Sequence, residues 1–386
     1  MDMSEKSVFS KTVDAYNIAV SEIKITGDIA YYGQLLGLKI DTFKVITEDG
    51  FVLILHHLYK SSASGESDIW SSKKPVLFIH GLFCSSETYL TGGRKSLAYH
   101  MVDSNFDVWL GNNRGGFNPK HSRLSNYDPQ MWNWDITEMA KYDLPALLSF
   151  VKSHNNHVSS KVSVIAHSQG TAECVFAMLK QNDNRCMEYM EKCVLLAPAI
   201  YGGTMLQDKW FLKLMRHTPD IIYKLLFGVN GFMPIMTLSR NIGHKTALFS
   251  HAAYTLLNYL AGWDDSLWNR EVRQLHLLFA PVCISNKLIR WWLRPETEAG
   301  FATGKSIISE EGQWFDKRCP ELFVVIGGQD KLVNGELLVQ RLKNVETDLD
   351  GRWDYLVVEL YSHLDLIFAD DVLSKVGEPV VNFLKN

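Results

Sequence analysis

A run of β-branched and apolar residues leads directly into a serine-centred turn and then into a helix-forming segment over residues 161–172. The turn has a small residue two positions before its serine and another two positions after it, in the order Ala166-His167-Ser168-Gln169-Gly170. This is the pattern of a nucleophile elbow, where a strand turns so sharply into a helix that larger side chains would clash with neighbouring backbone. Such a turn strains the backbone of its serine and projects the hydroxyl beside the positive end of the helix. The usual first small residue is Gly, and this chain has Ala166 there.

Apolar segments that fit buried strands alternate with segments that fit helices along much of the chain. Continuous apolar runs at residues 75–79 and 106–110 fit central strands, and a strand is also predicted over 192–197. Apolar residues at helical spacing predict a helix over 138–154. Because strands separated by helices are joined by crossovers, this alternation predicts a mostly parallel central sheet flanked by helices. The pair Asp49-Gly50 between two alternating segments adds an antiparallel hairpin.

The alternation breaks off between residues 200 and 315 and resumes after them. This insertion is rich in Trp, Met, Phe and Leu and has a helical texture, so we predict a helical cap or lid over residues 200–315. The rest divides into an N-terminal arm of residues 1–27 and an α/β core built from residues 28–199 and 316–386. The aromatic side chains of the insertion fit either a packed core or the lining of an apolar pocket.

The composition argues against several classes of protein. A formal net charge of −4 provides no positive field, so we expect no nucleic-acid partner. The six cysteines form no CxxC pair, which argues against a zinc site and a dense disulfide framework. The first residues do not resemble a signal peptide, and no stretch reaches the roughly 18–20 apolar residues of a membrane span. We therefore expect an intracellular protein.

Two further residues follow Ser168 in the order that its activation requires. A serine hydroxyl is a weak nucleophile at neutral pH and needs a base, which in turn needs a third group to orient it. Asp330 follows an apolar strand and a Gly-Gly-Gln turn, and His363 follows the next predicted strand. Taken singly, these residues fit an ordinary turn, a helix cap and a structural histidine. In the order Ser, Asp, His, each after a strand, they predict a catalytic triad.

A serine nucleophile also needs two N–H donors for the charge that develops on the substrate oxygen. One usually comes from the residue after the serine, here Gln169. The other comes from a loop after an earlier strand, which points to Leu82 in His80-Gly81-Leu82. His80-Gly81 alone would indicate no more than a strand-ending turn. With the triad, it predicts an oxyanion hole formed by the backbone amides of Leu82 and Gln169.

Several segments together carry a family likeness. They are Thr47-Glu48-Asp49-Gly50-Phe51, His80-Gly81-Leu82, Gly111-Asn112-Asn113-Arg114-Gly115, residues 138–146, His167-Ser168-Gln169-Gly170-Thr171 and His363-Leu364-Asp365. With these segments the chain resembles the acid lipase family of α/β-hydrolases, which includes gastric and lysosomal acid lipases and fungal steryl ester hydrolases. The likeness spans roughly residues 28–380 and is weaker in the insertion.

The resemblance implies an α/β-hydrolase fold with a helical cap, and a lid within the cap that opens at lipid surfaces. Carried over by position, the family's nucleophile falls on Ser168, its acid on Asp330 and its base on His363. The family's oxyanion donors fall on Leu82 and Gln169.

The chain also departs from the family pattern. Ala166 stands where the elbow usually has Gly, and Asn113 stands where the family has Ser. Residues 240–262 contain no cysteine, although the secreted members have a cap disulfide. This difference fits an intracellular member of the fungal type, either cytoplasmic or peripheral on a lipid droplet or endoplasmic reticulum membrane. The substitutions leave room for a non-lipid ester as the substrate.

The combined pattern predicts a serine ester hydrolase that cleaves hydrophobic carboxylic esters through an acyl-enzyme intermediate and needs no cofactor or metal. Steryl esters or acylglycerols are the first candidates, with peripheral contact to a membrane or lipid droplet surface. Two alternatives stay open. One is an esterase, lactonase or acyltransferase of specialised metabolism acting on a polyketide- or terpenoid-like substrate. The other is a non-catalytic lipid-binding protein.

Overall fold

A computed structural model describes residues 12–13, 16, 18–19, 23–60, 72–158, 161–182, 185–233, 242–243, 255, 265–293 and 300–386. Most of the predicted N-terminal arm lies outside the described residues, as do the parts of the predicted lid at 234–241, 244–254, 256–264 and 294–299. Within the described ranges no helix is long and apolar enough to cross a membrane.

Within the described ranges, eight strands form one large sheet. They are β1 (Leu38–Ile46), β2 (Val52–Lys60), β3 (Pro75–Ile79), β4 (Asp107–Gly111), β5 (Val162–His167), β6 (Met190–Leu196), β7 (Glu321–Gly327) and β8 (Trp353–Val358). Their order across the sheet is β8-β7-β6-β5-β3-β4-β2-β1. The β1–β2 and β2–β4 pairs are antiparallel and the other pairs are parallel. The prediction of a mostly parallel sheet with a hairpin at one edge is therefore confirmed.

Helices flank the sheet, as the alternating pattern predicted. In the described ranges they are α1 (Ile29–Leu35), α2 (Leu97–Asp103), α3 (Ile136–Glu138), α4 (Leu144–Ser153), α5 (Gln169–Met178), α6 (Arg185–Tyr189), α7 (Met205–Asp208), α8 (Trp210–His217), α9 (Asp220–Phe227), α10 (Arg273–His276), α11 (Asn286–Trp292), α12 (Gly335–Asn344), α13 (Asp365–Phe368) and α14 (Glu378–Lys385). Helices α7 to α11 lie between β6 and β7, in the predicted insertion.

The helix predicted over 138–154 differs in detail from the structure. Helix α3 begins two residues earlier because Asp135 and Glu138 form a reciprocal capping box. A π-helical turn over Met139–Asp143 then joins α3 to α4. Such turns widen a helix locally. Here the turn carries Asp143, whose side chain is fully buried.

The central strands β3, β4 and β5 are buried along their whole length, which explains their uninterrupted apolar sequences. The last residue of β3, Ile79, pairs with Gly111 at the end of β4 and with Ala166 near the end of β5. These parallel strands therefore end at one edge of the sheet. The loops that follow them, including those after His80 and His167, begin side by side.

A buried arginine ties the loop after β4 to two other elements. The side chain of Arg114 is only 1% exposed, and its Nη2 lies 2.7 Å from Oδ1 of Asp143 in the π-helical turn. Its Nη1 lies 2.8 Å from Oδ2 of Asp49 in the β1–β2 hairpin. The guanidinium also lies 4.2 Å from the ring centroid of Phe51. Burial raises the pKa of Asp143 and the Arg114 charge counteracts that rise.

Candidate active site

Ser168 occupies the single residue between β5 and α5, where the chain turns sharply. Its backbone has a φ of 52°, a left-handed value that is strained for any residue other than glycine. The turn is held by hydrogen bonds from the Ser168 amide to the Leu196 carbonyl, at 3.0 Å, and from the Thr171 amide to the Ser168 carbonyl, at 2.9 Å. The strand-to-turn-to-helix geometry predicted for residues 161–172 is therefore present.

The structure explains differently why small residues stand at positions 166 and 170, on either side of Ser168. A Cβ added to Gly170 would lie 2.7 Å from the Ile79 carbonyl oxygen, so the approach of α5 to β3 requires glycine there. Ala166 is completely buried in the centre of the sheet. The methyl group is accommodated in the elbow strand, where the usual pattern has Gly.

The structure brings Ser168, His363 and Asp330 into a hydrogen-bonded chain. His363 Nε2 lies 2.8 Å from the Ser168 Oγ, and His363 Nδ1 lies 2.7 Å from Asp330 Oδ2. Ser168 is 8% exposed and His363 is 2% exposed, so both are nearly buried. In this arrangement a neutral His363 donates its Nδ1–H to Asp330 and offers Nε2 as an acceptor for the serine hydroxyl.

Two glycines allow the segment that leads from β7 to Asp330 to approach closely the segment that leads from β8 to His363. A Cβ on Gly327 would lie 2.6 Å from the Tyr361 carbonyl oxygen, and a Cβ on Gly328 would lie 2.6 Å from that of Glu359. The second oxygen of Asp330, Oδ1, accepts hydrogen bonds from the amides of Leu332, at 2.8 Å, and Val333, at 3.1 Å. These bonds hold the carboxylate in position beside the imidazole.

His167 is a supporting residue whose contact the sequence did not predict. It is buried, and its Nε2–H donates to the carbonyl oxygen of His363 at 2.9 Å. Burial lowers the pKa of His167 to about 3, and the nearby His363 acts in the same direction. His167 is therefore neutral at physiological pH and holds the backbone of His363 without adding charge.

The loop after β3 lies directly against the elbow. A Cβ on Gly81 would lie 3.1 Å from the Cβ of Ser168, which places the next residue, Leu82, beside the serine. Gln169 is the first residue of α5, so its amide is one of the helix donors without an intrahelical partner. Among the backbone hydrogen bonds of turns, loops and helix caps in the described part of the chain, none is donated by the Leu82 or Gln169 amide. The loop that contains Leu82 and the first residue of α5 therefore lie beside Ser168.

Two other buried histidines each lie beside an acidic side chain. His56 Nε2 lies 3.3 Å from Glu87 Oε1, and His57 Nε2 lies 2.7 Å from Asp107 Oδ1, with all four residues buried. None of the six cysteines, all of which the structure describes, forms a disulfide. Among the residues that the structure describes, no group of three or more His, Cys, Asp or Glu side chains is placed to hold a metal ion.

Comparisons with known proteins identify the family of the chain. Residues 29–93 match a family model described as a partial alpha/beta-hydrolase lipase region. The chain is 35% identical over 405 residues to sterol esterase 2 of Saccharomyces cerevisiae, covering 96% of this chain and 74% of the esterase. It is also 34% identical over 390 residues to a lysosomal acid lipase/cholesteryl ester hydrolase of Macaca fascicularis, covering 96% of this chain and 91% of that lipase.

Solved structures show the same fold at much lower sequence identity. A laboratory-evolved variant of potato epoxide hydrolase superimposes with a TM-score of 0.51 at 12% identity, covering 90% of this chain and 99% of that chain. This likeness concerns the fold only. The identity to the sterol esterase and to the lysosomal lipase extends over nearly the whole chain and shows the family. The chain belongs to the acid lipase family of α/β-hydrolases.

Proposed function

We propose that this protein is a serine hydrolase of the lipase and steryl ester hydrolase type, which cleaves hydrophobic carboxylic esters. The observation that carries the proposal is the chain of short hydrogen bonds from Ser168 through His363 to Asp330. The strained elbow and the two nearby amides support the same chemistry. The relatives named sterol esterase and cholesteryl ester hydrolase support the substrate class.

In the acylation step, His363 Nε2 removes the proton from Ser168 Oγ as the oxygen attacks the ester carbonyl. Asp330 keeps the imidazole in the productive tautomer and stabilises its positive charge. The amides of Leu82 and Gln169 donate to the oxyanion of the tetrahedral intermediate. When the intermediate collapses, the carbon–oxygen bond to the alcohol breaks and His363 returns the proton to the leaving oxygen.

Deacylation repeats these steps with water as the nucleophile. His363 takes a proton from the water as its oxygen attacks the acyl-serine carbonyl, and the same two amides hold the oxyanion. Collapse releases the carboxylic acid and restores the Ser168 hydroxyl. Every proton is transferred through His363, so the cycle uses only the ester, water and the residues of this chain.

An aromatic residue of the insertion contacts the residue that follows the nucleophile, which favours an apolar substrate. The Trp292 indole donates to the side chain of Gln169 at 3.1 Å, so helix α11 packs against the first residue of α5 beside the elbow. Trp292 packs edge-on against Trp291 and Phe301, with centroid distances of 5.0 and 4.8 Å. Aromatic surface beside a nucleophile suits steryl or long acyl groups. We therefore propose steryl esters and acylglycerols as substrates, with a specialised-metabolite ester as the alternative.

The proposal is tested by labelling and by turnover on a substrate panel. A fluorophosphonate probe is expected to modify Ser168 in the native protein, as mapped by peptide mass spectrometry, and to leave the heat-denatured protein unlabelled. Cholesteryl oleate, triolein and long-chain p-nitrophenyl esters are the panel. Hydrolysis of cholesteryl oleate or triolein supports the lipase hypothesis. Labelling without turnover on all three favours the specialised-metabolism alternative, and the absence of both favours a non-catalytic protein.

We also propose that the cap contacts a lipid surface through helices α8 and α9. On α9, Ile221 and Leu225 are both 77% exposed, and their spacing puts them on one face, while Tyr223 on the opposite face is buried. Exposed Lys213 and Lys224 lie among the apolar side chains. Exposed Trp and Leu beside Lys are typical of helices that lie in a membrane interface. This α8–α9 apolar face consists of Trp210, Leu214, Ile221, Ile222, Leu225, Leu226 and Val229.

The double substitution Ile221→Ser and Leu225→Ser is expected to weaken binding to phosphatidylcholine-coated triolein emulsions by at least about tenfold. The reason is that two apolar side chains are then no longer transferred from water into the lipid surface. Hydrolysis of triolein at low emulsion concentration should fall in parallel, while turnover of soluble p-nitrophenyl butyrate stays unchanged. Ile46→Ser is the matched control, because Ile46 is 64% exposed on edge strand β1. Equal emulsion binding by the double variant and the wild type would rule out this face.

A further inference from the structure

The side chain of Gln169 is held at both ends by residues that the proposed reaction does not use. Its Oε1 accepts a hydrogen bond from the Trp292 indole of cap helix α11 at 3.1 Å. Its Nε2 donates to Oε1 of Glu173 at 3.2 Å, one turn further along α5. The residue that supplies a backbone amide beside Ser168 is therefore attached to the cap on one side and to the core on the other.

Glu173 is a buried acid with no place in the steps described above. It is 1% exposed, and its Oε1 also accepts from Asn113 Nδ2 at 3.1 Å. Asn113 follows β4, and its backbone amide donates to His80 Nε2 at 3.4 Å, in the loop before Leu82. Glu173 thus joins the Gln169 side of the site to the β3 and β4 loops.

We propose that Glu173 and Trp292 are positioning residues for the oxyanion hole, so that the Gln169 amide is correctly aimed only when helix α11 is packed over the elbow. This inference rests on the proposed ester hydrolysis. The physical reason is the strain of the turn, because Ser168 has a left-handed φ of 52° and the adjacent amide has no intrahelical partner. Two bonds to the Gln169 side chain restrict the movement that would relieve this strain.

The protonation state of Glu173 follows from its surroundings. Burial raises its pKa to about 8, and the carboxylate of Asp143 in the π-helical turn acts in the same direction. Hydrogen bonds from Gln169 and Asn113, and the charge of Arg114 after β4, oppose the rise. Tyr89, after β3, and Cys174, the next residue on α5, also interact electrostatically with Glu173. Glu173 is therefore a neutral acid at pH 7.

Ionisation of Glu173 is expected to change the rate of the reaction with pH. Below about pH 8 Glu173 is uncharged and its carbonyl oxygen accepts from Gln169 and Asn113. Above that pH its proton is lost, and a buried negative charge one turn from Gln169 opposes the oxyanion. We therefore expect kcat to fall as the pH rises through about 8.

Three variants test the proposal with soluble p-nitrophenyl butyrate between pH 6 and pH 10. Glu173→Met keeps the size but not the acceptor, and should lower kcat at pH 7 by about tenfold or more with KM changed by less than about twofold. Trp292→Phe keeps an aromatic ring but removes the indole N–H together with part of the ring system, and should lower kcat by about threefold to tenfold. Glu173→Gln mimics the neutral acid, so it should retain the pH 7 rate and lose the decline near pH 8.

Each outcome decides between the two proposals. Wild-type kcat in both Glu173→Met and Trp292→Phe, or an unchanged alkaline decline in Glu173→Gln, would overturn the positioning roles while leaving ester hydrolysis intact. A wild-type protein that neither turns over esters nor takes the fluorophosphonate on Ser168 would overturn the proposed function itself. If Glu173→Met fails to fold by circular dichroism, the nearly isosteric variant Glu173→Gln still tests the role of Glu173 and Trp292→Phe still tests that of Trp292.

Discussion

Replacing Ser168 with alanine is expected to lower kcat on a soluble ester by about 10⁶-fold, and replacing His363 with alanine should have a similar effect. The two side chains act as one unit, because the hydroxyl is a nucleophile only while the imidazole takes its proton. Their separation of 2.8 Å in the free protein indicates that this unit is already assembled. The double variant should therefore lose little more activity than either single variant. Active-site titration and steady-state kinetics on p-nitrophenyl butyrate measure these effects.

Asp330→Asn provides a graded control for the same unit. The amide nearly preserves shape but favours the wrong tautomer of His363, so kcat should fall by about 10⁴-fold. Thermal unfolding should show that all of these variants remain folded. Substantial turnover by Ser168→Ala, or additive losses in the double variant, would contradict the assignment of nucleophile and base.

The second large effect concerns stability and comes from the buried Arg114. Arg114→Met is expected to lower the free energy of unfolding by about 3–5 kcal/mol, because it leaves the carboxylate of Asp143 buried without its cation. Asp143 is fully buried, and Asp49 would lose its partner as well. The measurement is the urea midpoint and slope at pH 7. An unchanged slope with a lower midpoint would identify a loss of stability rather than a change in the unfolded state.

Arg185→Met is the matched control for this prediction. Arg185 also pairs with an acid, with its Nη1 3.2 Å from Glu48 Oε2, but the two side chains are 57% and 71% exposed. An exposed pair of this kind is worth less than about 1 kcal/mol. The double variant Arg114→Met with Asp143→Leu should recover part of the lost stability, since it removes the unpaired charge. Equal urea midpoints for Arg114→Met and Arg185→Met would show that the buried ion pairs of Arg114 contribute no more to the free energy of unfolding than the exposed pair of Arg185.

Much of the sheet was predictable because each strand carries its own local pattern. Uninterrupted apolar runs marked β3 and β4, and Asp49-Gly50 marked the turn between β1 and β2. Helix boundaries were less predictable. The start of α3 depends on the capping box of Asp135 with Glu138, and the following π-helical turn has no periodicity of its own.

The candidate site was predictable to the extent that it follows from strand order. Ser168, Asp330 and His363 each come after a strand, and parallel strands place their carboxyl ends on one edge of the sheet. Sequence order therefore indicated that these side chains lie near one another. It also indicated Leu82, because the loop after β3 begins beside the loop after β5.

The supporting contacts could not be predicted, because they join residues far apart in the chain whose local sequences carry no signal. The bond from His167 to the His363 carbonyl spans 196 positions, and the bond from Trp292 to Gln169 spans 123. Glu173 has the sequence context of an ordinary helical residue, and it is burial in the fold that raises its pKa to about 8. The role that we propose for Glu173 depends on solvent exclusion, which is a property of the whole fold.

In residues 200–315, too, the sequence pattern predicted the kind of element, whereas packing decided which side chains are buried. The sequence of residues 200–315 indicated helices with abundant apolar side chains, which fitted either a core or a pocket. Helical periodicity shows that an apolar face exists but not what covers it. The structure leaves Ile221 and Leu225 exposed while it buries Trp292 beside Gln169. By itself, the sequence determined the central strands, their order along the chain and the residues that follow them, since these depend on local pattern and chain direction. Only the tertiary structure decided which side chains meet, which lose water and which remain exposed, because those depend on the packing of distant segments.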